Sequence, residues 1–212
     1  MAALTGDRKS VLEGTWALAA VAIVAVVLRA FAKLRLRHVG LDDLAMFAAL
    51  LFALAASILF TIAVLDYGFG AGLPGSDEVN ALKYYTIMEV CTVGSTCLGR
   101  IAFIIYLLPI LSTRKVFKIG LWVLLALQIA ANSIMAILIL AQCRDIRGVW
   151  NPQFATECME DYIQLHYGYF LCACNSSADL ILAILPCYIF WDLKLRRIIK
   201  LSLMVLTSLG IV

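Results

Sequence analysis

Charged residues are scarce in this chain. Asp, Glu, Lys and Arg make up 15% of its 212 residues, whereas hydrophobic residues make up 64% and the mean hydropathy is +0.97. Soluble domains usually carry about 25% charged residues, so this composition excludes an ordinary soluble domain. The sequence also lacks a glycine-rich phosphate loop, a nucleophile elbow and a paired-histidine metalloprotease motif. These absences favour a chain whose solvent is lipid.

Five apolar runs are long enough to cross a membrane as helices. A helix rises 1.5 Å per residue, so about 20 residues cross the hydrocarbon core. Backbone amides find no partner there outside regular structure, which excludes irregular spans. We predict an all-α, polytopic transmembrane bundle that forms a single domain over 1–212, with five full spans and a partial sixth. The predicted spans are 14–32, 44–65, 84–111, 119–142, 167–191 and, for the partial one, 201–212.

The distribution of Lys and Arg predicts the orientation of the bundle. Connections rich in these residues stay on the cytosolic side. The segments 33–43, 112–118 and 192–200 contain ten of them, against five on the opposite face. We therefore expect these three segments in the cytosol and the N-terminus outside. Because topology accounts for the net charge of +3, we expect no nucleic-acid partner.

Three charged residues lie more than one helical turn inside the predicted spans, namely Glu89 and Arg100 in the third and Asp179 in the fifth. Such residues cost about 2.5 to 3.5 kcal/mol on insertion scales and usually face the bundle interior with a partner. Pairing of Arg100 with Asp179 would neutralise both, and Asn175, one turn away, could add a hydrogen bond. Two interpretations stay open: a structural clamp that fixes helix register, or a site for a ligand, ion or proton.

A second group of charges is predicted at the cytosolic edge. Arg29 lies near the inner end of the first span, and Asp42 and Asp43 open the second span at the same face. We expect them to form a neutralising cluster with basic residues of the 33–37 segment. A contact with a partner protein is the alternative.

Cysteines divide by depth in the predicted bundle. Cys143 ends the fourth span and Cys158 lies in the same outer loop, 143–166, so we predict a disulfide between them on the oxidising face. The other five cysteines lie in spans and suit packing. Cys172 and Cys174 are too close along one helix to face one metal ion. We expect no metal and no cofactor.

Several short motifs occur in a characteristic order along the chain. They are Arg35 and Arg37 before Gly40-Leu41-Asp42-Asp43, then Tyr67-Gly68-Phe69-Gly70, Arg100 and Tyr106, the set Cys143, Trp150 and Cys158, and finally Asn175, Asp179, Pro186, Trp191, Leu193 and Lys200. This order resembles the fungal rhodopsin-domain family of seven-helix integral membrane proteins, which includes receptor-like members. The chain departs from the family pattern at Leu41, where Trp is common, at Ala71, where His often stands, and at Arg100, where Lys is usual.

The resemblance implies a bundle of seven helices, so we expect this chain to lack most of the sixth and all of the seventh. It does not imply retinal, because no lysine lies deep in the first five spans. The implied function is a receptor-like sensor of a small or hydrophobic ligand with a cytosolic signalling partner. An enzyme or accessory protein of secondary metabolism is the alternative, and a transporter is the third.

The predicted orientation can be tested by cysteine labelling in a background without other reactive cysteines. We expect Ser76→Cys to react with a membrane-impermeant maleimide in intact cells, because 76 lies on the outer face. We expect Thr113→Cys to react only after the membrane is permeabilised. The opposite pattern would reverse the orientation.

Overall fold

The computed structural model of the protein is a bundle of helices. It describes residues 6–36, 40–69, 77–110, 115–151, 154 and 157–192. Within this part of the chain, five helices are long and apolar enough to cross a membrane. The prediction of an all-α, polytopic bundle with five full spans is confirmed. The predicted partial span, 201–212, lies outside the described residues, as do the centres of two of the predicted cytosolic segments.

The helices start earlier than the apolar runs from which they were predicted. In chain order they are α1 (Gly6–Leu36), α2 (Leu41–Leu65), α3 (Glu78–Ile110), α4 (Lys115–Leu140) and α5 (Asp161–Asp192). Acidic residues occupy the first turn of α2, at Asp42 and Asp43, and of α3, at Glu78. A negative charge there interacts favourably with the helix dipole, so polar residues outside the apolar run still belong to the helix.

Small residues bring α2 and α3 together as the closest helix pair. Buried alanines on α2 recur at seven-residue spacing, at Ala49, Ala56 and Ala63, and therefore share one face. The Ser95 hydroxyl of α3 donates to the Ala49 carbonyl oxygen at 2.9 Å, which places this face against α3. In lipid, helices associate through close packing of this kind because the hydrophobic effect does not drive them together.

Two apolar clusters hold α3, α4 and α5 together. One contains Ile104, Leu107, Leu121, Leu125 and Leu182. The other contains Ala131, Met135, Ile139 and Leu171, with Val90 and Val93 packed against it. Each of the three helices passes through both clusters, so the side chains between them form a separate layer in the middle of the bundle.

The first helix packs beside α2 and leaves much of its surface uncovered by the described residues. Its Trp16 indole N–H donates to the Thr61 hydroxyl oxygen of α2 at 3.1 Å. Large apolar side chains of α1 are exposed along its length, among them Val24, Val27, Leu28 and Phe31. Such an apolar face suits contact with lipid tails, because hydrocarbon cannot form hydrogen bonds and apolar side chains need none.

The connection between α4 and α5 is shorter than predicted, because α5 begins at Asp161 rather than near 167. A disulfide joins Cys143 and Cys158 and closes this connection, which confirms the predicted pairing. A 3-10 helix, Ile146–Val149, lies between the two cysteines, and the Asp145 carboxylate accepts a hydrogen bond from the Arg147 amide at 3.0 Å.

The α2–α3 interface predicts a sharp size limit at Gly94. A methyl group there would lie 3.6 Å from the Phe52 ring, which is ordinary contact. We therefore expect Gly94→Ala to leave the thermal unfolding temperature of the protein in lipid nanodiscs nearly unchanged. We expect Gly94→Leu to lower it by several degrees, since overpacking costs about 1 to 3 kcal/mol. Equal stability of the two variants would contradict this account of the interface.

Candidate functional site

An ion pair links α3 to α5 in the middle of the bundle. The Arg100 guanidinium donates from Nε to Asp179 Oδ1 and from Nη2 to Asp179 Oδ2, each at 2.9 Å. This two-pronged geometry is the strongest form of an arginine–carboxylate contact. The two side chains are 16% and 26% exposed, so little of the pair is open to solvent.

The pair lies between the two apolar clusters. On α3, Arg100 stands between Val93 and Ile104, which belong to different clusters, and on α5 Asp179 stands between Leu171 and Leu182. Apolar packing on both sides removes water from the pair and strengthens the attraction between its charges. Removing water also costs free energy, which the attraction must offset.

Two polar atoms beside the pair have no hydrogen-bond partner. They are Arg100 Nη1 and Asn175 Oδ1, and both are fully buried. Asn175 was expected to bond to Asp179, but the structure gives it no such bond among the described residues. The nearby Ser177 hydroxyl donates instead to the Cys174 carbonyl oxygen at 2.9 Å, a common use of serine inside a helix. The present arrangement of this layer therefore leaves two buried polar atoms without a partner. Such atoms are costly in free energy.

The fourth helix contributes two neutral polar side chains that the sequence analysis missed. Gln128 and Asn132 are each 2% exposed. The Asn132 amide donates to the Gln128 carbonyl oxygen at 2.8 Å and to its side-chain oxygen at 3.2 Å. Gln128 reaches α5 at the Cys174 carbonyl oxygen, 3.5 Å away. The sequence does contain a feature that indicates this pair. Two amide side chains four residues apart in an apolar run lie on one face of a helix.

Glu89 lies apart from the ion pair. It is half-buried and makes no ion pair with any described residue. Eleven residues separate it from Arg100 along α3, a rise of about 16 Å. The two carboxyl groups named by the sequence analysis, Glu89 and Asp179, are therefore at different depths. Across the described residues, no three His, Cys, Asp or Glu side chains converge in a way that could hold a metal ion.

The second charge cluster joins α1 to α2. Arg29 donates from Nη2 to Asp42 Oδ2 at 2.9 Å, and Lys33 Nζ contacts the same oxygen. Lys33 Nζ also lies 2.9 Å from Asp43 Oδ1. Burial lowers the pKa of Lys33, but its hydrogen bonds to Asp42 and Asp43 outweigh burial and leave that pKa raised. The structure thus places Arg29, Asp42 and Asp43 together with Lys33, whereas the side chains of residues 35 and 37 lie outside the described part.

The charge cluster extends to α3 through an aromatic ring. Arg29 Cζ lies 4.5 Å from the centre of the Tyr106 ring and Lys33 Nζ lies 5.5 Å from it. Cations above a ring face are attracted by its quadrupole. Gly40 makes room for the cluster, because a side chain there would collide with the Asp42 carboxylate. Its amide donates to Asp43 Oδ2 at 3.1 Å and so fixes the start of α2.

Aromatic pairs connect the end of α2 to the start of α3 at the opposite end of the bundle. Tyr67 stacks on Tyr84 with ring centres 5.1 Å apart, and Phe69 stacks on Tyr85 at 4.6 Å. The chain turns between the two pairs at Gly68, whose φ of 68° is readily adopted by glycine.

Comparison with known proteins identifies the family. The family profile described as "Fungal rhodopsin domain" matches residues 28–212. The chain belongs to the fungal rhodopsin domain family. No curated protein and no solved structure matches it significantly. The matched range contains the buried ion pair, the charge cluster and the disulfide of this fungal rhodopsin domain. It covers four of the five candidate membrane spans in full and the end of the first, as befits an integral, multi-pass membrane protein.

The charge cluster makes a prediction about stability. We expect Asp42→Asn to lower the free energy of unfolding by about 3 kcal/mol, because it leaves Arg29 and Lys33 with less than their full counter-charge in a site where Asp42 is 9% exposed. Thermal or denaturant unfolding in nanodiscs would measure the change.

Glu13→Gln is the matched control for Asp42→Asn. Glu13 pairs with Lys9 at 3.8 Å on an exposed surface of α1, where an ion pair contributes little. If both variants lost a similar amount of unfolding free energy, the buried charge cluster would stabilise the protein no more than an exposed ion pair does.

Proposed function

We propose that the protein is a receptor-like membrane sensor. A small or hydrophobic ligand changes the packing of α5 against α3, and the cytosolic face passes that change to a signalling partner. The single observation that carries this proposal is the buried Arg100–Asp179 ion pair, which joins these two helices at 2.9 Å.

The ion pair is suited to switching because it is a polar link between α3 and α5, which otherwise meet through the side chains of the two apolar clusters. Close backbone approaches occur mainly between helices that are consecutive along the chain, namely α1 and α2, α2 and α3, α3 and α4, and α4 and α5. Arg100 also has an unpartnered Nη1 group, and Asn175 on α5 has an unpartnered oxygen. A second arrangement that satisfied these atoms would recover part of the free energy that rearranging the pair costs. A ligand can shift such an equilibrium if it binds one arrangement better than the other.

The third helix offers a route from the ion pair to the cytosolic edge. Tyr106 follows Arg100 by six residues, a rise of about 9 Å, and its ring lies under Arg29. A rotation or shift of α3 at Arg100 would therefore alter the contact between Tyr106 and the cluster on α1 and α2. In the proposed orientation this cluster faces the cytosol and the N-terminus lies outside, which agrees with the distribution of Lys and Arg.

The geometry gives less support to the enzymatic and transport alternatives. Acid–base catalysis inside the bundle would use two carboxyl groups at one place, whereas Glu89 and Asp179 lie at different depths and Asp179 is bound to Arg100. Transporter sites commonly form at interrupted helices. The five described helices each run continuously through their apolar spans.

The sensor proposal predicts that the ion pair controls signalling. We expect Arg100→Gln and Asp179→Asn each to change basal nucleotide exchange on a co-reconstituted heterotrimeric G protein several-fold, because each variant removes the ion pair between α3 and α5. The exchanged pair, Arg100→Asp with Asp179→Arg, should return exchange toward the wild-type rate. Exchange would be measured as GTPγS uptake in vesicles that contain the full chain.

Glu157→Gln is the control for this experiment, because its ion pair with Arg144 is exposed and lies in the α4–α5 connection. We expect it to leave exchange at the wild-type rate. If folded wild-type protein and all pair variants gave the same rate as empty vesicles, G-protein signalling would be rejected. If single and exchanged variants behaved alike, the pair would be only structural.

A further inference from the structure

Glu89 faces the interior of the bundle. It precedes Leu107 by 18 residues, which is five full helical turns, so the two side chains leave α3 in the same direction. Leu107 is 2% exposed and belongs to the core between α3, α4 and α5. Val93, one turn after Glu89, packs against the other cluster of that core. Glu89 is therefore half-buried at the edge of the core that α3 shares with α4 and α5.

No described cation neutralises Glu89. Arg100 is about 16 Å deeper along the helix and binds Asp179. Lys83 lies at the outer end of α3, where its Nζ is 6.0 Å from the centre of the Trp150 ring. An isolated carboxylate in a membrane span is costly, so this position favours a bound positive group or a proton.

Aromatic rings stand directly beyond Glu89. Tyr85 precedes it by one turn and lies on the same side of α3. The Tyr85 ring stacks on Phe69 from the α2–α3 connection at 4.6 Å, which fixes its position. A carboxylate beside an aromatic ring is the combination that recognises ammonium groups, through charge and through the ring quadrupole.

Acidic residues at the outer helix ends would attract a cation to this place. Asp66 follows the last residue of α2, and Asp77 and Glu78 stand at the start of α3. Clustered charge of one sign raises the local concentration of the opposite ion. Val90 and Val93, deeper on this helix, pack against the core but are only partly buried, so their uncovered parts could contact a hydrocarbon tail.

We propose that Glu89 and Tyr85 bind the ammonium group of an amphiphilic organic cation whose apolar part packs toward Val93. This inference rests on the proposed sensor function and names the chemical class of its ligand. A bare metal ion fits less well, because no three candidate metal ligands converge among the described residues.

The experiment compares two probes of equal size in nanodiscs that contain the full chain. Hexylammonium carries the charge, and 1-hexanol has the same tail without it. We expect hexylammonium at pH 7 to bind saturably by calorimetry and to raise the unfolding temperature, whereas hexanol should give only the response of empty nanodiscs. Equal responses to the two probes would overturn the proposal without any variant.

Variants then assign the site. We expect Glu89→Gln to weaken hexylammonium binding at least tenfold, because it removes the negative charge while keeping the size and shape of the side chain. Tyr85→Leu should weaken it several-fold, and Tyr85→Phe should preserve it because the ring face is retained. Lys83→Gln, a nearby charge change outside the site, should not weaken it. Unchanged binding in both Glu89→Gln and Tyr85→Leu would overturn the proposal.

The outcomes separate this inference from the sensor proposal. Saturable, Glu89-dependent binding that leaves G-protein exchange unchanged would retain the ammonium site and reject the signalling. Exchange that depends on Arg100 and Asp179, with no charge-dependent binding of hexylammonium, would retain the sensor and reject this ligand class.

Discussion

Hydrocarbon offers no hydrogen bonds, and this constraint shapes every level of the bundle. It requires the backbone to satisfy itself, so each span is one continuous helix. It also favours polar side chains that bond to each other. Arg100 donates to Asp179, and the Asn132 amide donates to the Gln128 side chain. Where a partner is missing, as at Arg29 Nε, Arg100 Nη1, Asn132 Oδ1 and Asn175 Oδ1, the bundle carries the cost of an unsatisfied buried group.

The sequence predicted features that depend on one strong physical requirement. Arg100 and Asp179 are deep charges of opposite sign, so each was the natural partner of the other. Cys143 and Cys158 were the cysteines placed for an outer disulfide, and the structure joins them. The early starts of α3 and α5 were missed, because their first turns are polar and hydropathy alone cannot assign such residues to a helix.

Features that depend on the relative rotation of helices could not be obtained from the sequence. Tyr106 is one of 8 tyrosines, and nothing local distinguishes it as the ring beneath Arg29. The role of Gly40 depends in the same way on the position of the Asp42 carboxylate, which Arg29 and Lys33 hold in place. Asn175 is the opposite case, a predicted contact that does not form. Its distance from Asp179 along the helix suggested a hydrogen bond, but its side chain does not make one.

Because α3 touches the rest of the bundle on two sides, it can couple the polar groups at different depths. One side, through Val93 and Arg100, faces the core that it shares with α4 and α5. The other packs on the alanine face of α2, where Ser95 bonds to the Ala49 carbonyl oxygen. A helix so closely packed against α2 moves with it rather than bending alone. Motion of α5 relative to α3 would therefore have to break the buried ion pair and shift the side chains of the two apolar clusters on either side of it.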